Sequence, residues 1–161
     1  MIIQLLGSPA SLLTGLGLPA PTFWVYVLAF GLSAVVCFAA VPRARAINAA
    51  DDTRNGLVAV VAISGVWAAL QVGYLAAPTP TLQYGFYVAG LVVGLATVGP
   101  WLYFCSAYTG RSLHNNTIYQ QIAIAVYLLI VGVKLTNPLH GLYFTATPST
   151  TPFIHLMIDH G

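Results

Sequence analysis

Charge is what this sequence has least of. Of its 161 residues only three are acidic and five are lysine or arginine, a charged share of 5%. Soluble domains carry about 25%, so a water-soluble fold of this size is excluded. A net charge of +2 on so few basic groups also excludes a nucleic-acid surface, which must neutralise many phosphates. No Asp, Glu or Arg stands near the centre of an apolar run. Ion pathways, proton relays and voltage sensors need such groups, so the sequence argues against a pump or an ion-coupled transporter. Cysteine is equally scarce: Cys37 and Cys105 both fall within apolar runs, with no CxxC or metal-ligand spacing. They read as small apolar residues. All four histidines lie outside those runs, and no lysine sits mid-run. Paired haem ligands and a retinal Schiff base are therefore excluded, and no cofactor is expected. A phosphate-binding glycine loop, a nucleophile elbow and paired carboxylates are lacking as well, so the chain reads as a non-enzyme.

What is present is apolar. Hydrophobic residues make up 58% of the chain, and the mean hydropathy is +0.85. Four long runs lie at about 22–41, 57–77, 84–108 and 118–137. About 20 apolar residues match the hydrocarbon thickness of a bilayer, and none of the runs alternates like a barrel strand. The sequence predicts an all-α integral membrane protein of four antiparallel transmembrane helices, multi-pass in the cell membrane. Residues 1–21 form a lead-in broken by Gly7, Pro9, Gly15, Gly17 and Pro19; it lacks the basic start of a signal peptide. Residues 138–161 form a tail, read as irregular or holding one short interfacial helix. Tyr143, Phe144 and Phe153 would lie at head-group depth.

The arginines set the orientation. Arg43, Arg45 and Arg54 flank the first inter-run loop and Arg111 lies in the third. Positive residues in short loops stay cytoplasmic, which places the N-terminus, the second loop and the tail outside. Lys134, near the end of the fourth run, is expected to snorkel to the outer head groups; the alternative is an inward-pointing functional charge. Asp51 and Asp52 precede Thr53 as an N-cap region, and Pro78-Thr79-Pro80 makes a stiff turn. Pro138 ends the fourth helix. Asn115-Asn116-Thr117 matches a glycosylation sequon, but on the cytoplasmic side it reads as a helix start capped by Asn116 or Thr117.

Polar groups inside the runs are mild: Ser33, Ser64, Gln71, Thr97 and Ser106. Gly90 and Gly94 form a GxxxG pair that lets a second helix approach closely. Gly99-Pro100 should kink the third span, either as a static bend or as a hinge. The tail is richest in chemistry. His140, Tyr143, Phe144 and His155 are candidates for a ligand-facing lip. His155 and Asp159 stand four residues apart, a helical pairing that with His160 offers candidate metal ligands. The spacing is no recognised zinc signature, so no metal is expected.

Three stretches, WLYFCSAYTGR (101–111), KLTNPLHGLYF (134–144) and TTPFIHLMIDHG (150–161), resemble the N-terminal seven-helix sensor module of archaeal membrane histidine kinases. The resemblance runs from about Thr22 onward. It implies a sensor bundle with an outside N-terminus, followed in full-length members by cytoplasmic PAS, GAF or kinase domains. At Gly161 the family would go on to a fifth span, so the chain is expected to be a truncated member holding about the first four helices. No phospho-acceptor helix or ATP-binding box is found, and autokinase activity is not implied. The expected function is a sensory, signal-transducing membrane module of a two-component system. Its expected partners are the lipid bilayer and a cytoplasmic or membrane signalling partner or a second copy, and no nucleic acid. The alternatives are a structural or accessory membrane subunit, and a small transporter using Gln71 and the tyrosines.

Overall fold

The computed structural model describes residues 21–111, 115–141, 144–148 and 156–160. The lead-in through residue 20, and Tyr143, Phe153 and His155, lie outside the described residues. Helix α1 spans Pro21–Arg45, opening on a proline, whose fixed φ suits a first turn. It runs on through Pro42 and closes with Arg43 and Arg45 in its last turn, where the helix dipole favours cations. Helix α2 spans Asp51–Ala76. The two aspartates lie inside its first turn rather than ahead of it, and Ala50 provides no side-chain cap. Asp51 instead meets the positive helix end and pairs with Arg54. Helix α3 spans Pro80–Ala96. It begins earlier than the apolar run because Thr79 caps it, its hydroxyl accepting from the Leu82 N–H at 3.3 Å.

Helix α4 spans Val98–Tyr108, and with α3 makes one membrane-length segment broken at Thr97. Helix α5 spans Thr117–Leu135, and the Asn116 carboxamide accepts from the Ile118 N–H at 3.0 Å. Replacing Asn116 by alanine should cost about 1 kcal/mol of α5 stability, seen as a lower melting midpoint by circular dichroism in micelles. Among the described residues four segments, Thr22–Arg45, Asp51–Ala76, Pro80–Tyr108 and Thr117–Leu135, are long and apolar enough to cross a membrane.

Helix α2 is the hub, packing on α1, α3 and α4, while α5 leans on α3. The interior is built of small residues: Ala34, Ala68, Gly56, Gly65 and Gly90 are buried. Leu32, Val35, Val36, Leu128 and Leu129 all point outward. That inversion of a soluble core is what lipid permits, since tails solvate leucine and helices gain most by close backbone approach. On α2, Gly65 lies against Cys37 and Phe38, Gly73 against the Phe86 ring, and Gly56 against Phe104 and Tyr103. Phe30 and Trp67 meet edge to face, 5.8 Å between centroids.

The tail departs from its expected form. A four-residue helix α6, Asn137–His140, ends at Gly141 with φ 61°, a left-handed cap that glycine adopts without strain. Beyond it, strands β1 (Phe144–Pro148) and β2 (Leu156–His160) pair antiparallel, Phe144 opposite His160 and Thr145 opposite Asp159. Strand β2 packs on α3. A two-stranded hairpin therefore sits where irregular chain or a single helix was expected. Asp159 lies in β2 rather than in a helix, while its expected helical partner His155 lies outside the described residues. Among the described residues no group of three His, Cys, Asp or Glu side chains converges.

Candidate functional site

At the hairpin end of the bundle lies a set of buried polar side chains. Gln83, on the first turns of α3, is completely buried, and its amide donates to the Tyr74 carbonyl at 3.4 Å. That carbonyl belongs to the last turn of α2, where backbone acceptors lack helical partners. The Tyr74 and Tyr87 rings lie 6.0 Å apart across the α2–α3 seam. Lys134 on α5 is 8% exposed and Asn137, opening α6, is 3% exposed. Lys134 therefore does not snorkel: α5 turns it into the protein. A buried ammonium in a membrane bundle costs several kcal/mol unless it is paired, and Lys134 does interact with its surroundings. Sequence reading placed Gln83 outside any span and Asn137 at a helix end, so neither stood out.

Midway along the third span, the Thr97 hydroxyl donates to the Gly94 carbonyl at 2.6 Å. Pro100 has no N–H for the carbonyl of Ala96, the residue at which α3 stops. Helix α3 thus stops four residues before Pro100, although Thr97 itself keeps helical φ and ψ of −62° and −26°. At the far end, the Tyr103 hydroxyl donates to the Asp52 carboxylate at 2.9 Å, tying α4 to the start of α2. The Ser106 hydroxyl donates to the Arg111 carbonyl at 2.7 Å. Arg43, Arg45 and Arg111 are exposed there.

Residues 21–161 match the family described as the N-terminal 7TM region of histidine kinase. The chain belongs to that family. No curated protein and no solved structure matches it. The four membrane-length helices make this 7TM region a multi-pass membrane protein, and the family assignment makes it the sensor part of such kinases rather than the catalytic part.

Within the 7TM region the sites anticipated from sequence scatter. Gly90 and Gly94 face α2, where Gln71 and Trp67 lie over them. Gly99 is open, with no atom within 4 Å of where a Cβ would stand. His140 ends α6, Phe144 opens β1, and Asp159 and His160 close β2. The structure brings His160 opposite Phe144 in the hairpin register.

Proposed function

We propose that this 7TM region reads a stimulus at its hairpin end and reports it at its arginine-bearing end. The four spans run antiparallel with the N-terminus outside and the arginines cytoplasmic, as the charge bias favours. His140 and Phe144 contribute to the outer lip, at the end of the bundle that also holds the buried Gln83, Lys134 and Asn137. The signal passes down α3, across the Thr97 break and into α4, whose Tyr103–Asp52 bond engages the first cytoplasmic loop. The region hands its state to a cytoplasmic or membrane signalling partner. The family match over residues 21–161 carries this reading. Against a purely structural subunit stands the use of the glycines: Gly56, Gly65, Gly73, Gly90 and Gly94 are all taken up within the chain. Against a transport pathway, Gln71 lies over Gly90 in the α2–α3 seam.

The reading requires two helix arrangements. Spin labels at Ala46→Cys and Arg111→Cys, in a chain lacking Cys37 and Cys105, test it in vesicles. Two distance populations are expected, with Lys134→Met and Thr97→Ala shifting their ratio. A single distance unmoved by either variant sinks the sensor reading. In right-side-out vesicles the cysteine at position 46 should resist membrane-impermeant maleimide; rapid labelling there would reverse the orientation.

A further inference from the structure

Helix α5 packs on α3 but leaves a gap beside α4. Two adjoining cavities of about 460 and 670 Å³ fill it. Both are lined by Gly99, Leu102, Ala123 and Ile124, so they form one groove. Toward the middle of the bundle it ends at Leu95 and Ile130; toward the arginines it ends at Ser106, Tyr119 and Gln120. From Tyr119 to Ile130 the α5 axis rises about 16 Å, half of a hydrocarbon core of about 30 Å. The groove therefore serves one leaflet. Further along α5 it is shut, because the Tyr127 hydroxyl reaches the Val92 carbonyl at 3.4 Å and Val131 is buried. A docked transmembrane helix needs the whole thickness, whereas an acyl chain needs only half.

The two ends differ in character. The mid-membrane end is lined by aliphatic side chains, and Gly99, lacking one, deepens the floor. The other end is polar, and Ser106 holds the backbone of exposed Arg111 beside the mouth. Four arginines stand against two aspartates around this end of the bundle. We propose that the groove between α4 and α5 is a binding site for an anionic phospholipid, with one acyl chain along Leu102, Ala123 and Ile124 and its phosphate at Arg111. Volumes of this size are ordinary for small-molecule sites, and a lipid here would sit against α4 just beyond the Thr97 break. The site stands whether or not the chain signals.

The full chain in mixed phosphatidylcholine–phosphatidylglycerol vesicles, with a trace of either lipid carrying a diazirine in its acyl chain, tests this. Photolabelling by the phosphatidylglycerol probe should fall on Leu102, Ala123 and Ile124 severalfold more than on lipid-facing Leu32 and Val36. The phosphatidylcholine probe should show no such concentration. Ala123→Trp should reduce groove labelling to the level at Leu32. Arg111→Gln, an exposed loop change that leaves the packing intact, should erase the preference for phosphatidylglycerol without abolishing labelling. Equal labelling of groove and α1, or equal groove labelling by both probes, overturns the proposal. So would efficient disulfide formation between two copies of Ile124→Cys in the vesicles, which would seat a second chain there instead.

Discussion

Replacing Gly56 by alanine should destabilise the bundle by about 1–3 kcal/mol, the range for overpacking a tight interior. A Cβ at Gly56 would stand 2.8 Å from the Phe104 Cα and 2.9 Å from the Tyr103 ring. The first of these is backbone, so no side-chain rotation relieves it, and α2 and α4 must separate. Separation also stretches the Tyr103–Asp52 bond a few residues away, so the loss includes a polar tie as well as dispersion contacts. Gly85→Ala is the matching control, since nothing lies within 4 Å of its Cβ position, and it should stay within about 0.5 kcal/mol of wild type. Unfolding in mixed micelles, followed by tryptophan fluorescence, compares the two. Equal stabilities would mean that α2 and α4 do not approach as closely as described.

Gln83→Ala should be at least as damaging, about 2–5 kcal/mol, because it empties a fully enclosed site. Two effects add there: the void left by the side chain, and the loss of the donor to the Tyr74 carbonyl at the end of α2. Gln83→Met separates them. It keeps the volume and removes the donor, and should cost about 1–3 kcal/mol. The same unfolding assay reads both variants. If methionine proves as costly as alanine, hydrogen bonding dominates the site; if both match wild type, Gln83 is not enclosed. Thr81→Ala, on the exposed side of the same turn, should change stability by less than about 0.5 kcal/mol.

The spans were legible because hydropathy and length answer to the bilayer alone. Their ends were less so. Hydropathy marks where apolar character begins, whereas α3 begins at Pro80 because Thr79 caps it, and α1 runs past Pro42 to Arg45. Gly99-Pro100 marks where the third span is interrupted, but the missing proline N–H acts on the carbonyl of Ala96, so α3 ends there, ahead of the pair. The polar end of the bundle was not legible. Whether Lys134 faces lipid or protein depends on how α5 is rotated against α3, a long-range property that no local pattern encodes. The close-approach glycines were hidden for a related reason. Gly56, Gly65 and Gly73 are too widely spaced to form a GxxxG motif, yet each meets a different partner along α2. The hairpin was missed because its strands, FTATP and LMIDH, are only five residues long and the first ends in a proline, which weakens a strand signal.

The hub position of α2 also bears on how the chain is made. Membrane helices leave the insertion machinery in order, and α2 finds α1, then α3 and α4, as each emerges, so the first three crossings are packed together before α5 appears. Helix α5 arrives at an assembly that already holds its shape and joins it along the α3 side. Helix α5 is thus a crossing whose departure would leave the packing of α1 to α4 on one another intact, and it can shift or be replaced without dismantling them.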